Sequence, residues 1–158
     1  MNTPRTARLI IDGYSLLHRD PELNPLLRKN LALARLLLIR KIERMADDLA
    51  ERTTVVFDGK GDPKHADITS TSLDIVFAPS NLTADTVIER LVYADPAPER
   101  LLVVTSDRME RQTVSGAGAD SMSCGDFLDL CRSRQDTYDR PRRPKKSGGT
   151  SLGDYFPT

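Results

Sequence analysis

Four aspartates and a glutamate lie at or next to the most regular apolar and helical patterns of this sequence. Asp12 ends the run LIID, Asp58 ends VVFD, and Asp107 comes two residues after LLVVT. Asp85 lies near the start of TADTVIERL, and Glu89 falls one helical turn later on the same face. Gathered carboxylates repel each other unless protons or a cation intervene, and several hard oxygen ligands suit Mg²⁺ or Mn²⁺. The first chemistry to consider is therefore that of a divalent-cation site.

Each acid also has a purely structural interpretation. Asp107 with Glu110 forms the D-x-x-E pattern of a helix capping box, and Asp85 would favour the positive end of a helix. Asp12 and Asp58 are each followed by glycine, a pair typical of turns. Taken one at a time, these acids do not separate a binding site from a set of caps and turns.

The elements that must position the acids follow from the hydrophobic pattern. Short runs rich in β-branched residues predict five strands, at residues 7–12, 53–58, 73–77, 100–105 and 119–122. A 3.6-residue period predicts a long helix over 24–49, with Asn24 as N-cap and Pro25 as its first residue. Shorter helices are predicted at 83–95 with Thr83 as cap, at 107–116, and at 124–135 after Ser123. This alternation predicts an α/β fold with a parallel sheet covered on both faces.

In such a sheet, the acids that follow strands share one edge. Asp12, Asp58 and Asp107 each follow a predicted strand, and Asp85 begins a helix that leaves from the same edge. Open α/β sheets bind their ligands at this carboxyl edge. The joint placement favours a metal site over four unrelated caps and turns.

Length and composition predict one folded domain. The 158 residues are 39% apolar and 29% charged, with zero formal net charge. We expect the domain to span 1–135 and a mobile tail to span 136–158, because the tail carries the basic, proline-containing run RPRRPKK and no apolar period. Cys124 and Cys131 are expected to be reduced core thiols. We also expect a cytoplasmic protein with no membrane contact, since no run resembles an export signal or a membrane span.

The segments LIIDGYSLLH, VVFDG, VFAPSNLTADTVIERL and LLVVTSDRMERQTVSGAGAD, in this order and spacing, resemble the YacP-like branch of the NYN domains, relatives of the PIN nucleases. The resemblance covers residues 7–130. It implies a PIN-like, Rossmann-like three-layer α/β/α sandwich and metal-dependent endoribonuclease activity, which in some members is ribosome-associated cutting of mRNA. It also implies that Asp12, Asp85 and Asp107 are catalytic ligands of Mg²⁺ or Mn²⁺, with Asp58 and Glu89 in supporting roles.

The sequence departs from the family pattern close to the first acid. The family usually reads IDGYN, and here the fifth residue is Ser15, whose hydroxyl has a shorter reach than an asparagine amide. We therefore predict a supporting role for Ser15 in a site that is weakened or retuned. One alternative is a non-catalytic RNA- or ribosome-binding module that keeps the acids for stability. Another is a phosphatase-like hydrolase, although no D-x-D pattern follows the first strand.

Cations near the acidic edge are the candidates for holding RNA phosphates. The loop GKGDPKH follows Asp58 and contributes Lys60, Lys64 and His65, while Tyr14 is the aromatic residue beside the edge. The predicted long helix is also cationic, although a solvated face is the commoner explanation for such a run. Its cations are Arg28, Lys29, Arg35, Arg40, Lys41 and Arg44.

The tail contains a candidate docking peptide. Leu152 precedes Tyr155 and Phe156 by three and four residues, a spacing similar to that of sliding-clamp-binding peptides, although Gly149 stands where such peptides usually have a glutamine. The alternative is a chain end with chance hydrophobic residues, which is the commoner origin of so short a pattern.

The loop after Asp58 provides a first test. Replacing Lys60 and Lys64 by alanine should weaken RNA binding and flatten its dependence on salt, because each phosphate contact that is lost reduces the salt slope by about one unit or slightly less. The melting temperature should change little. An unchanged slope in a salt titration of RNA binding would assign the loop a structural role only.

Overall fold

The computed structural model describes residues 6–59 and 68–139. The five described strands are β1 (Arg8–Asp12), β2 (Arg52–Asp58), β3 (Asp74–Ala78), β4 (Leu101–Val104) and β5 (Asp120–Met122). The described α-helices are α1 (Gly13–Arg19), α2 (Leu26–Lys29), α3 (Leu31–Glu43), α4 (Ala46–Leu49), α5 (Ala84–Ala94), α6 (Arg108–Gly116) and α7 (Cys124–Asp139). The predicted RNA-binding residues Lys60, Lys64 and His65 lie outside the described residues, as does the tail with Leu152, Tyr155 and Phe156.

The strands form one sheet in the order β3-β2-β1-β4-β5, and every pairing within it is parallel. Each strand begins and ends within one residue of its predicted bounds. The α/β class and the parallel sheet are therefore confirmed. The strands could be predicted closely because runs such as LLVV and TVVF are nearly continuous hydrophobic runs, as buried parallel strands are.

The two faces of the sheet carry separate cores. Ile11 of β1 belongs to the core under α1, α3 and α7, whereas the preceding Ile10 belongs to the core under α5 and α6. The chain leaves β1 on the first face to reach β2 and returns from β3 on the second face to reach β4. The crevice between the carboxyl ends of β1 and β4 is thus the topological switch point of the sheet, where open α/β folds bind ligands.

The prediction of one helix over 24–49 is wrong, because this segment forms α2, α3 and α4. Asn30 ends α2 because its backbone is not helical. Its side chain accepts a hydrogen bond from the Leu33 amide at 3.0 Å, so Asn30 is also the N-cap of α3. Asn24 does not cap a helix through its side chain; its amide donates to the His18 carbonyl at 2.8 Å. A second break at Met45 allows this residue and Ala46 to enter the core. A local side-chain hydrogen bond thus overrides the apolar period at Asn30, and burial in the core accompanies the break at Met45.

The other helices agree better with the sequence. Thr83 caps α5 by accepting from the Thr86 amide, and Ser123 caps α7 by accepting from the Asp126 amide. Helix α7 continues to Asp139, four residues beyond its predicted end. Helix α1, which begins directly after Asp12, was not predicted, because its seven residues are too few to show a helical period.

Arg35 was grouped with cations that could bind RNA, and the structure places it in the core instead. Its side chain is 3% exposed, and its guanidinium lies 5.5 Å from the ring centres of both Phe57 and Phe77. It also donates a hydrogen bond to the main-chain oxygen of Asp58 at 3.1 Å. Arg35 therefore anchors the carboxyl end of β2 to α3.

The tight start of α1 generates a stability prediction. A Cβ atom at Gly13 would lie 2.4 Å from the Phe57 ring, so Gly13→Ala should destabilise the fold by about 1–3 kcal/mol through overpacking. Gly116→Ala is the matched control, because a Cβ there meets nothing within 4 Å, and it should be neutral or stabilising by up to about 1 kcal/mol. Urea denaturation of both variants measures the difference, and equal effects would contradict it.

Candidate active site

Asp12 is held firmly at the end of β1. Its side chain is 6% exposed and caps α1, where one oxygen accepts from the Ser15 amide at 3.2 Å. The other oxygen accepts from the hydroxyls of Ser15 at 3.0 Å and of Thr105 at 3.5 Å. Burial raises the pKa of Asp12, and the hydrogen bonds from Ser15 and Thr105 partly oppose that effect. The carboxylate is therefore oriented by neutral donors rather than by a cationic side chain.

Asp107 occupies the equivalent place after the neighbouring strand β4. It caps α6, and its Oδ1 atom accepts from the amides of Met109 at 2.9 Å and Glu110 at 3.3 Å. Its own amide donates to the Thr105 hydroxyl at 3.2 Å. Because this hydroxyl also donates to Asp12, the buried Thr105 connects the two acids across the switch point. Sequence reasoning missed Thr105.

Asp85 brings the third segment to the same place. It lies in the first turn of α5, and its pKa is raised to about 6, first by burial and then by the charges of Asp12, Asp107 and Glu89. The structure thus brings together the three predicted ligands Asp12, Asp85 and Asp107, and it adds the predicted supporting residue Glu89. We call this cluster the acid group. The capping interpretation of Asp107 is also correct, whereas Asp12, for which the alternative was a turn, caps α1; both acids cap helices while belonging to this group.

Glu110 belongs to the group as well, although its spacing to Asp107 suggested only a capping box. Its side chain is 3% exposed, and its pKa is raised to about 8 by burial and by the charges of Asp85 and Glu89. A protonated Glu110 can donate to either of these two acids, while its Oε2 atom is buried without a hydrogen-bond partner. The available signal was the shared buried face of Glu110 and Val114, four residues apart on α6.

The chemistry of this donor set fits a hard divalent cation. It consists of carboxylate oxygens that repel one another, which suits Mg²⁺ or Mn²⁺ rather than a soft metal. Within residues 6–59 and 68–139, however, no three acidic, histidine or cysteine side chains are arranged as a ready ligand shell. The donor chemistry therefore fits such an ion, and a shared ion would require these side chains to turn.

Three other residues near this edge have distinct environments. The Tyr14 side chain is 45% exposed, with its ring edge-on to His18 at 4.4 Å between ring centres. Asp58 lies two residues beyond the residue of β2 that pairs with Asp12, and its main-chain oxygen is bound by Arg35. The Cys124 thiol is buried, and burial together with Asp12 raises its pKa to about 12, so it stays protonated. Cys131 is likewise a free, buried thiol, as predicted.

Comparison with known proteins identifies the group to which this arrangement belongs. The profile of the YacP-like NYN domain family matches residues 9–154. The chain belongs to this family. It is 32% identical over 124 residues to the "Uncharacterized protein YacP" of Bacillus subtilis (strain 168), an alignment that covers 76% of this chain and 72% of that protein.

Solved structures agree with the family assignment. The crystal structure of Rae1 (YacP) from Bacillus subtilis has a TM-score of 0.71 at 31% identity and matches 84% of this chain and 77% of that one. A single-residue mutant of the same protein has a TM-score of 0.70 at 30% identity, over 85% and 80% of the two chains. The YacP-like NYN domain therefore has the PIN-like fold that the sequence predicted. NYN domains form a PIN-like nuclease group that generally uses divalent metals and acts on RNA. No helix in the described parts of this chain could cross a membrane.

The acids of this YacP-like NYN domain should make its stability depend on pH in the absence of divalent cations. The pKa values of Asp85 and Glu110 rise from 3.8 to about 6 and from 4.5 to about 8, so the folded chain binds more protons than the unfolded chain. Stability present at low pH should be lost as the pH rises through 6 and 8. Melting temperatures in EDTA across this range should therefore fall, and Glu110→Gln should flatten the decline.

Glu99→Gln is the matched control for this measurement. Glu99 is exposed in a short 3₁₀ helix (Pro98–Arg100) that precedes β4, at the opposite edge of the sheet. This variant should keep the pH dependence of the wild type. A Glu110→Gln chain that melts with an unchanged pH profile would contradict the assignment of the buried proton to this acid group.

Proposed function

We propose that this chain is a metal-dependent endoribonuclease that hydrolyses RNA phosphodiesters at the crevice between β1 and β4. The observation that supports this proposal most directly is the electrostatic convergence on Asp85. Asp12, Asp107 and Glu89, which come from the ends of β1 and β4 and from α5, all act on this one carboxyl group. A nuclease of a metal-using family needs such a concentration of hard oxygen ligands beside a bound phosphate.

Each acid has a proposed role. Asp12 and Asp107 would hold Mg²⁺ or Mn²⁺, and Asp85 would hold the ion or orient the attacking water. When bound, the ion supplies a more acidic water and neutralises charge that develops on the phosphate. Glu89 and Asp58 support the group, while the hydroxyls of Ser15 and Thr105 keep the Asp12 carboxylate in one orientation. The remaining buried acid, Glu110, holds a proton beside Asp85 and Glu89.

The substrate class follows from the family and from the charges near this edge. We propose that Lys60, Lys64 and His65 contact RNA phosphates, with Tyr14 as a stacking surface for a base. Messenger RNA at the ribosome is the proposed target, by resemblance to the family. A peptide-type contact through Leu152, Tyr155 and Phe156, a cytoplasmic location and a domain boundary at residue 135 remain predictions.

One observation favours the alternative of a non-catalytic RNA-binding module. The Ser15 hydroxyl, at the position of the family asparagine, donates to Asp12 at 3.0 Å. The hydrogen of this hydroxyl is therefore used within the protein rather than in a bond to a water or a phosphate. If the chain binds RNA in Mg²⁺ or Mn²⁺ but does not cut it, this alternative is supported.

Substituting Asp12 by asparagine separates metal chemistry from helix capping. Asparagine also caps helices, so Asp12→Asn should keep α1 and change the free energy of unfolding by less than about 1 kcal/mol. Cleavage of labelled RNA should fall by at least about 100-fold, since even groups that only orient a metal ligand often contribute 10–100-fold. Stabilisation of the chain by Mn²⁺, measured as a rise in melting temperature, should be lost together with cleavage.

Asp120→Asn serves as the control, because Asp120 is exposed at the start of β5, on the edge opposite the acid group. It should keep both cleavage and the Mn²⁺ effect. An Asp12→Asn chain that melts early but still cleaves RNA would show that the acid is a cap only. Cleavage of a generic phosphomonoester but not of RNA would instead support the phosphatase-like alternative.

A further inference from the structure

Beside the acid group lies a flank formed by the end of α1 and the first turn of α7. Arg19, the last residue of α1, is exposed, and its guanidinium lies against Gly125. A Cβ atom at Gly125 would be only 3.0 Å from Arg19 Nη2, so the absence of a side chain there makes room for the guanidinium. Arg19 lies seven residues after Asp12, or about 10 Å along the helix axis. This distance places it next to the acid group and not within it.

The buried Cys124 thiol, next to Gly125 in the chain, is close enough to both this flank and the acid group to be affected by the charges of each. The charges of Asp12, Arg111 and Arg19 all act on this thiol. The Arg111 guanidinium is hydrogen-bonded within the fold, because it donates to the main-chain oxygen of Thr105 at 2.9 Å. The Arg19 guanidinium, by contrast, has neither a hydrogen-bond partner nor a carboxylate partner among the described residues. It is an available positive charge at the border of a strongly negative site.

Arg19 also lines a cavity of about 350 Å³ between the end of α1 and α7. Its other polar lining residues are Ser123, Asp126, Asp129 and Arg132. Arg132 is paired with Asp129 at 3.0 Å, and Ser123 is occupied with capping α7. The ion pair with Arg132 neutralises Asp129, which leaves Arg19 and Asp126 as the charges without an ion pair in the described lining. The positive charge is therefore confined to Arg19, which can hold one anionic group, and the acids exclude a continuous track of phosphates.

We propose that Arg19 binds one phosphate of a single RNA strand, next to the phosphodiester that the acid group cuts. This inference rests on the proposed function and extends it by naming a contact outside the acid group. A guanidinium binds phosphate through paired hydrogen bonds, and one without an internal partner loses no ion pair in doing so. An RNA phosphate at Arg19 would also fix the position of the strand relative to Asp12, which carboxylates alone cannot do because they repel the backbone.

The experiment measures binding rather than cleavage, so it does not depend on turnover. Full-length Asp12→Asn protein is titrated in Mg²⁺ with a labelled single-stranded oligouridylate at several salt concentrations. Adding Arg19→Gln to this parent should weaken binding at low salt several-fold and reduce the slope of log K against log salt by about 0.7, the value for one phosphate contact on a single strand. Arg19→Lys should retain most of the slope, because it keeps the charge.

Two further variants make the test specific. Arg90→Gln removes an exposed arginine of α5, on the other face of the sheet, and should leave the slope unchanged. Gly125→Leu keeps every charge but fills the space beside the Arg19 guanidinium, so it should weaken binding as Arg19→Gln does. Melting temperatures should stay close to that of the parent, since Arg19 is exposed and has no ion pair within the described chain.

The outcomes separate the two proposals. Equal effects of Arg19→Gln and Arg90→Gln, or no effect of Arg19→Gln on a parent that binds RNA, would overturn the contact at Arg19 alone. A parent that does not bind the oligouridylate in a salt-dependent way would overturn both the contact and the proposed function. A loss confined to Arg19→Gln and Gly125→Leu supports the contact.

Discussion

Charge repulsion among carboxylates is the constraint to which the rest of this site responds. Two unit charges about 4 Å apart repel by about 4 kcal/mol at the effective dielectric of a protein surface. The strands β1 and β4 and the helix α5 nevertheless bring Asp12, Asp107 and Asp85 together, and the pKa of Asp85 is raised first by burial and then by the charges of its acidic neighbours. The fold accommodates the group because neutral donors bind Asp12 and because a proton is retained at Glu110.

Helix starts provide the second means of accommodating these acids. Helices α1, α5 and α6 all begin at the carboxyl edge, and each has an acid at its cap or in its first turn. The partial positive charge of a helix N-terminus favours a carboxylate there by about 0.3–1 kcal/mol. Capping and ligand binding are therefore not competing explanations for Asp12 and Asp107. The same local geometry that stabilises the helix also directs the carboxylate to the switch point of the sheet.

The cations of this chain divide between structure and surface in a way that their spacing does not reveal. Within α3, Arg35 is buried against two phenylalanine rings, and Lys41 forms an ion pair with the buried Asp20 at 2.6 Å. These two charges hold the helix to the sheet and to the end of α1. Arg19, although it belongs to a much less basic segment, is exposed, and its guanidinium lies against Gly125 in the first turn of α7. Proximity to the edge, and not local charge density, distinguishes a candidate phosphate contact from a structural cation.

The sequence by itself determined the strands, the parallel sheet and the edge at which the acids gather. Buried parallel strands are nearly continuous runs of Val, Ile and Leu, so runs such as LII and LLVV predict strands. An acid that directly follows such a run must lie at the carboxyl edge. Only the tertiary structure decided that Glu110 and Thr105 join the site and that residues 24–49 form three helices. These outcomes depend on contacts between segments far apart in the chain and on single side-chain hydrogen bonds. Such contacts leave no periodic signal, because burial and charge at one residue are set by neighbours that the local sequence does not contain.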